Sequence, residues 1–109
     1  VEKRRSLKTQ YEEILDITPS NAVIITQYHD KILFPQRKVI VGGFQDKNMI
    51  ANYAKLAEFL PVYYYNFTLP PQSVHYLNNN KLREADLLLQ EYKHINNTFT
   101  LYRLENIDN

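Results

Sequence analysis

The stretch VIITQYHDKILFPQRKVIVGGF, residues 23–44, places two apolar runs on either side of a polar and charged connection. The runs, at 22–26 and 38–41, are rich in β-branched residues, which favour strands. Because nearly every residue in them is apolar, they are typical of strands that are covered on both faces of a sheet. We therefore predict two neighbouring central strands joined by a crossover. In this prediction 33–35 pack against the sheet, and the charged side chains lie on the outer side of the crossover.

Strand patterns and helix patterns alternate through the rest of the chain. Apolar side chains recur at helical spacing in 2–16 and 47–60. Asp46 is a good N-cap for the second helix, and Pro61 ends it. In chain order, the predicted elements are a helix over 2–16, strands over 22–26 and 38–41, a helix over 47–60, a strand over 62–67, a helical turn over 70–77, a loop at 78–80, a helix over 82–92 and a final strand over 98–104 with the mixed polarity of a sheet edge. This alternation predicts one α/β domain over 1–109, a small three-layer sandwich of four mostly parallel strands with flanking helices.

Composition and charge limit the kinds of protein that this chain can be. It has 109 residues and a formal net charge of +1, and 44% of its residues are hydrophobic, which indicates a folded domain with one modest core. The near-neutral charge argues against a dedicated nucleic-acid-binding protein, which usually has a strongly basic face. Without cysteine there is neither a disulfide framework nor a thiolate metal site. No segment approaches the roughly 20 consecutive apolar residues of a membrane-spanning helix, and the start at Val1 favours a piece of a larger protein.

The ligand site is predicted at the ends of the first two strands. In open α/β sheets, ligands bind beyond the carboxyl ends of the strands. A glycine turn between a strand and a helix can also present backbone N–H groups to a phosphate. The predicted ligand-binding residues are Thr26, Gln27, Tyr28, His29, Asp30, Gly42, Gly43 and Phe44. The alternative is a tight structural turn, since neither glycine fingerprint of phosphate binding is present and Asp46 puts negative charge where a phosphate would lie.

Catalytic and metal-binding patterns are not found in the sequence. His29 and Asp30 are adjacent, but a metal site needs three or four convergent ligands, and His75 and His94 lie far along the chain. There is no GxSxG motif to frame a serine nucleophile. We therefore predict no catalytic residue, no metal and no cofactor. Four charged side chains of the connection can form ion pairs with one another: Asp30, Lys31, Arg37 and Lys38.

Tyrosine and asparagine are both abundant. Tyr63, Tyr64 and Tyr65 alternate across the third predicted strand, so that at most two of them share a face. One face is expected in the core, and the other either packs as well or forms an aromatic surface for sugars or a partner. The asparagines at 78–80 are attributed to a compositional bias and placed in a loop.

A family resemblance rests on the same region as the opening stretch. The run ITPSNAVIIT at 17–26, followed by Asp30-Lys31 and by LFPQRKVI at 33–40, resembles a soluble segment of polytopic membrane glycosyltransferases. These are the dolichyl-phosphate-mannose-protein mannosyltransferase-like proteins, and the resemblance covers about residues 10–68. In that family the catalytic acidic residue and the lipid-linked sugar site lie in membrane-embedded loops. The resemblance therefore implies no catalytic residue in this chain.

The resemblance implies an accessory domain that contributes to acceptor binding or to stability. Its partner would be the membrane-embedded remainder of the parent protein, its place the extracytoplasmic face of a membrane, and its ligand a sugar or a lipid-linked sugar. The basic start of the helix over 2–16 suits a membrane surface, because cationic side chains favour anionic headgroups. Two alternatives stay open. One is a free-standing cytoplasmic interaction module that associates through a sheet edge, and the other is a minimal nucleotide- or phosphosugar-binding domain.

Overall fold

The computed structural model describes residues 12–27, 37–95 and 97–107, which form an α/β domain around one five-stranded sheet. Residues 12–17 are helical and are called α1. The remaining elements are β1 (Val23–Thr26), β2 (Lys38–Val41), α2 (Lys47–Ala57), β3 (Val62–Phe67), α3 (Pro71–Tyr76), a π-helical turn (Leu77–Lys81), a 3-10 turn (Arg83–Ala85), β4 (Leu87–His94) and β5 (Phe99–Asn106). No helix in these ranges is long and apolar enough to cross a membrane.

The first three strands form the parallel half of the sheet. β1 pairs in parallel with β2 on one side and with β3 on the other, so the prediction that the two opening strands are neighbours is confirmed. The prediction that both are central is wrong for β2, which lies at the edge of the sheet. All four residues of β1 are buried, whereas both ends of β2 are exposed, because β2 has a neighbouring strand on one side only.

The last two strands make the sheet mixed, which corrects the prediction of four mostly parallel strands. The strand order is β2-β1-β3-β5-β4, and β5 is antiparallel to both of its neighbours. β5 was predicted as an edge strand, but it lies between β3 and β4. Its polar side chains are accommodated inside the sheet because Thr100 is hydrogen-bonded and Arg103 lies over the Tyr63 ring.

The predicted helix over 82–92 is wrong, since most of it is strand β4. Its leucines are spaced for a helix, but the hairpin with β5 offers hydrogen bonds and burial that outweigh this local preference. Asp86 ends the 3-10 turn in the left-handed conformation, which aspartate tolerates, and so turns the chain into the strand. Leu87 and Leu89 then point into the core at the alternating spacing of a strand.

Side chains from both faces of the sheet are buried. On one face, Ile50 and Tyr53 of α2 pack with Tyr64 and the inward leucines of β4. On the other face, Ile14 of α1 packs with a second group of side chains: Ala22, Ile24, Tyr63, Tyr65 and Leu101. All three consecutive tyrosines of β3 are buried, so they form core on both faces and no aromatic surface.

The asparagine run at 78–80 is a π-helical turn, which corrects the predicted loop. The Nδ2 groups of Asn79 and Asn80 donate to the backbone oxygens of His75 and Tyr76 at 2.9 and 3.0 Å. They thereby add side-chain donors to the backbone carbonyl groups at the junction of α3 and the π-helical turn. The run therefore has a specific structural use in addition to any compositional bias.

Arg37 joins the end of α1 to the start of β2. Its Nη2 donates to the backbone oxygens of Leu15 and Thr18 at 2.7 and 2.9 Å, and its Nε donates to Thr18 Oγ1 at 3.1 Å. The Thr18 hydroxyl in turn donates to Ile14 O at 2.7 Å. Arg37 is thus bound to the carboxyl end of a helix, where the helix dipole also favours a cation. The predicted ion pairs among the charges of the connection involve Asp30 and Lys31, which lie outside the described residues.

Candidate functional site

The predicted ligand residues were expected at the carboxyl ends of β1 and β2, and the described ones lie there. The amide of Gly42 donates to Thr26 O at 3.2 Å and so joins the two strand ends. The side chain of Gln27 lies beside Gly43. The other three predicted ligand residues, Tyr28, His29 and Asp30, lie outside the described residues.

The glycine pair is held by close packing rather than by an unusual backbone conformation, because neither glycine has a positive φ. A Cβ on Gly42 would lie 2.8 Å from the Tyr53 hydroxyl and would also meet the Met49 side chain. The same hydroxyl donates to Gly43 O at 3.0 Å. With the Gly42 amide and the Gly43 carbonyl both hydrogen-bonded, the turn has the geometry of a structural connection.

The start of α2 is also occupied by the protein's own groups. The carboxylate of Asp46 accepts from the Asn48 amide at 2.8 Å, which confirms Asp46 as the N-cap. A phosphate at this position would be repelled by the carboxylate and would compete with it for the same amide. The strand ends alone therefore make a poor phosphate site.

Phe44 links the strand ends to a cleft that the sequence did not predict. Its ring is buried, 4.6 Å from the Tyr64 ring centre and 5.9 Å from that of Tyr53. Its outer side lines a hollow of about 310 Å³, which adjoins a second hollow of about 290 Å³. Of the predicted ligand residues that the structure describes, Phe44 is the one that lines these hollows.

The two hollows together are called the α2 cleft, because one wall is α2 and the other is the segment from the end of α3 to the 3-10 turn. They share Lys47, Ile50, Lys81 and Glu84. The remaining lining residues are Phe44, Gln45, Ala51, Ala54, Tyr76, Asn80 and Ala85. The cleft thus combines apolar walls with a few polar and charged groups, the composition that is usual in small-molecule sites.

Two ammonium groups give the α2 cleft an excess of positive charge. Lys47 and Lys81 line it together with a single described carboxylate, that of Glu84. None of the three takes part in an ion pair with another described residue; those pairs join other side chains. Tyr76, with 55% of its surface exposed, lies at the same opening. These groups are available to a ligand in the cleft.

The sequence did not predict the α2 cleft because its two walls come from distant parts of the chain. Lys47 and Ile50 were assigned to a helix, but Asn80 was assigned to a loop and Glu84 to another helix. The one local signal was Phe44, an aromatic residue that follows two glycines after a strand. Spacing along the chain contains no indication that Lys81 and Lys47 line the same cleft.

A second polar cluster connects the carboxyl end of β4 to β5 and to the end of β3. Glu91 Oε2 lies 3.1 Å from His94 Nε2, and His94 Nδ1 lies 3.0 Å from Thr100 Oγ1. The Thr100 hydroxyl is 2.6 Å from that of Thr68. The order carboxylate, imidazole, hydroxyl resembles a nucleophile-activating chain, but Thr100 is fully buried and cannot reach a substrate. The cluster therefore ties the hairpin to β3.

Three buried tyrosines have pKa values above the ordinary value. Burial raises the pKa of Tyr53 and the nearby Asp46 charge adds to the effect. Burial is also the main cause of the raised pKa of Tyr63 and of Tyr102. The Tyr102 hydroxyl accepts from the Leu69 amide at 2.7 Å. These hydroxyl groups are structural hydrogen-bonding groups of the core, and none of them lines the α2 cleft.

Within the ranges that the structure describes, no group of three or more His, Cys, Asp or Glu side chains is placed to hold a metal ion. No family model matches the chain, and no curated protein matches it. The α2 cleft is therefore the candidate site on structural grounds alone.

Proposed function

We propose that this chain is a non-catalytic accessory domain of a membrane glycosyltransferase-like protein and that it binds part of an acceptor in the α2 cleft. In this proposal the domain lies on the extracytoplasmic face of a membrane. Its partner is the membrane-embedded remainder of the parent protein. The observation that carries the proposal is the α2 cleft, whose walls present ammonium, amide and phenol groups over an apolar base.

The residues that carry the family resemblance support a folding role rather than a chemical one. Of the resembling run, the segment at 23–26 is the fully buried strand β1. Thr18 and Arg37, which belong to the two resembling runs, bind each other and the end of α1. A motif whose described residues hold a scaffold together fits a domain that contributes binding or stability to a catalytic centre elsewhere.

Of the two alternatives, association through a sheet edge has little support at β4. Asn78 covers the edge of this strand at Leu89, and a bulge between Glu91 and Lys93 interrupts its regular pairing. Bulges and exposed charges are features that prevent the addition of another strand. The phosphosugar alternative at the strand ends has less support than the cleft, because the Gly42 amide is already hydrogen-bonded there.

The reading frame upstream of the Val1 codon tests the proposal. Several apolar segments, each of about 20 residues, are expected in that frame because the parent protein would span the membrane repeatedly. A start codon directly upstream of Val1 would show that the chain is a protein by itself and would overturn the proposal. This experiment does not depend on any ligand.

A further inference from the structure

We infer that the α2 cleft binds an acidic monosaccharide, a single sugar ring that carries a phosphate or a carboxylate group. This inference rests on the proposed function and names the chemical class of the ligand that the cleft selects. It depends on the charge of the cleft, on the character of its walls and on its size.

The charge of the cleft favours an anion. Lys47 and Lys81 come from opposite walls, so an anionic group between them can receive a charge-assisted hydrogen bond from each. Lys47 is also the first residue of α2, whose first turn contains no acidic side chain. The attraction comes from the two ammonium groups, since the N-cap carboxylate already offsets the positive end of the helix dipole. The Asp46 carboxylate at the N-cap already accepts from the Asn48 amide, and it is not among the lining residues.

The walls of the cleft suit a sugar ring. A sugar has an apolar C–H face and a rim of hydroxyl groups, and the cleft offers a partner for each. Ile50, Ala54 and the ring of Tyr76 supply apolar and aromatic surface. The carboxylate of Glu84 can accept from hydroxyl groups. Asn80 donates through Nδ2 to Tyr76 O, which leaves its Oδ1 as a further acceptor.

The size of the cleft limits the ligand. Each of its two hollows, of about 290 and 310 Å³, is close to the lower limit of the range of roughly 300–1,000 Å³ that is typical of small-molecule sites. A single ring with one anionic group therefore suits one hollow, whereas a nucleotide sugar would have to extend over both. The apolar wall further distinguishes a sugar derivative from a bare inorganic anion.

Isothermal titration calorimetry with four small probes tests the inference. The probes are glucose 1-phosphate, glucuronate, glucose and inorganic phosphate. The acidic sugars are expected to bind at least about tenfold more tightly than glucose and than phosphate, because only they use both the cations and the apolar wall. The phosphate and carboxylate probes separate the two sources of charge, and tighter binding of either one supports the inference.

Substitutions in the cleft give the matched comparison. Lys81→Gln and Lys47→Gln are each expected to weaken acidic-sugar binding about tenfold, since each removes one charge-assisted contact. Lys55→Gln makes the same change of charge on α2 outside the cleft and should leave binding unchanged. Ala51→Leu fills the cleft without changing its charge and should abolish binding, while circular dichroism confirms that each variant is folded.

Three results with the wild-type protein would overturn the inference. These are no binding of either acidic sugar at millimolar concentration, equal binding of glucose, and equal binding of inorganic phosphate. Equal losses in Lys81→Gln and Lys55→Gln would also overturn it, because the effect would then come from net charge alone. The two tests are independent of each other. Absence of acidic-sugar binding would not change the result of the reading-frame test, and a start codon before Val1 would not change the calorimetric result.

Discussion

Asn78 forms a two-point bridge with the backbone of Leu89. The Leu89 amide donates to Asn78 Oδ1 at 2.7 Å, and Asn78 Nδ2 donates to Leu89 O at 3.0 Å. The side chain thus takes the place of a residue on a neighbouring strand and satisfies the outer edge of β4. It also fixes the π-helical turn to the sheet, and this turn forms one wall of the α2 cleft.

Asn78→Ala is expected to lower the free energy of unfolding by about 1–3 kcal/mol, because it leaves the Leu89 amide and carbonyl without their partner at a partly buried position. Urea denaturation measures this decrease in the free energy of unfolding. Hydrogen exchange of the Leu89 amide should become faster in the variant, since the amide loses its acceptor.

Asn79→Ala is the matched control for Asn78→Ala. The Asn79 side chain bonds only to exposed groups of His75 among the described residues, so its loss should cost less than about 0.5 kcal/mol. Equal losses in the two variants would contradict a specific role for the bridge to Leu89.

Arg37→Lys is expected to destabilise the domain by about 2 kcal/mol. A lysine keeps the charge but cannot reproduce the planar group that contacts Leu15 and Thr18 at the end of α1. Chemical denaturation measures the loss, and far-UV circular dichroism should show reduced helix content. Arg83→Lys, on the exposed 3-10 turn, is the control and should be close to neutral. If the two changes cost the same, the guanidinium geometry of Arg37 is not what matters.

The two glycines after β2 are expected to differ in their tolerance of a methyl group. Gly42→Ala should cost about 1–3 kcal/mol, because the new Cβ meets the Tyr53 hydroxyl, which its bond to Gly43 O holds in place. Gly43→Ala meets only the end of the exposed Gln27 side chain, at 2.9 Å, which can move away. It should therefore stay within about 1 kcal/mol of the wild type. Thermal unfolding of both variants tests this order, and a larger loss in Gly43→Ala would reverse it.

The stability of the domain should fall above about pH 10. The pKa values of Tyr53, Tyr63 and Tyr102 are raised in the folded state, so the unfolded chain loses these protons first as the pH rises. The resulting stability is fully present below the ordinary tyrosine pKa of about 10 and is lost as the pH rises through the folded-state values. Urea denaturation at a series of pH values measures the decline.

Tyr53→Phe removes one of these ionisable groups and should make the alkaline decline shallower. It should also lower stability at neutral pH by about 1 kcal/mol, because the Gly43 carbonyl loses its donor. An alkaline decline as steep as that of the wild type would show that Tyr53 does not contribute to it.

The local sequence pattern was sufficient to predict the strands of the parallel half of the sheet. The apolar runs of β1 and β2, the N-cap at Asp46 and the aromatic strand β3 were all read correctly. In each of them the local preference and the tertiary environment agree. The local pattern gave a wrong prediction at 82–92. Its leucines have helical spacing, but most of this segment forms strand β4 and pairs with β5. Cross-strand pairing is a contact between distant residues, and a local period contains no information about it.

The candidate site was predictable only in part, for the same reason. The strand ends were placed correctly, and Phe44 does line a cleft. The cleft could not be predicted without its second wall, which contains the π-helical turn. Asn78 holds this turn against the sheet through its hydrogen bonds to Leu89. The sequence pattern gave no indication that Asn78 would bond to the backbone of Leu89, because the segment around Leu89 was predicted to be a helix.

The α/β character of the domain, the neighbouring strands of the opening stretch, and the burial of α2 against the sheet follow from the amino-acid sequence alone. These depend on hydrophobic period and on helix caps, which act over a few residues. The antiparallel half of the sheet, the use of Arg37 and Asn78 as backbone-binding groups, and the presence of Lys47 and Lys81 in one cleft depend on the tertiary structure. Each of these joins segments far apart in the chain, and their free energy appears only once the fold has brought them together.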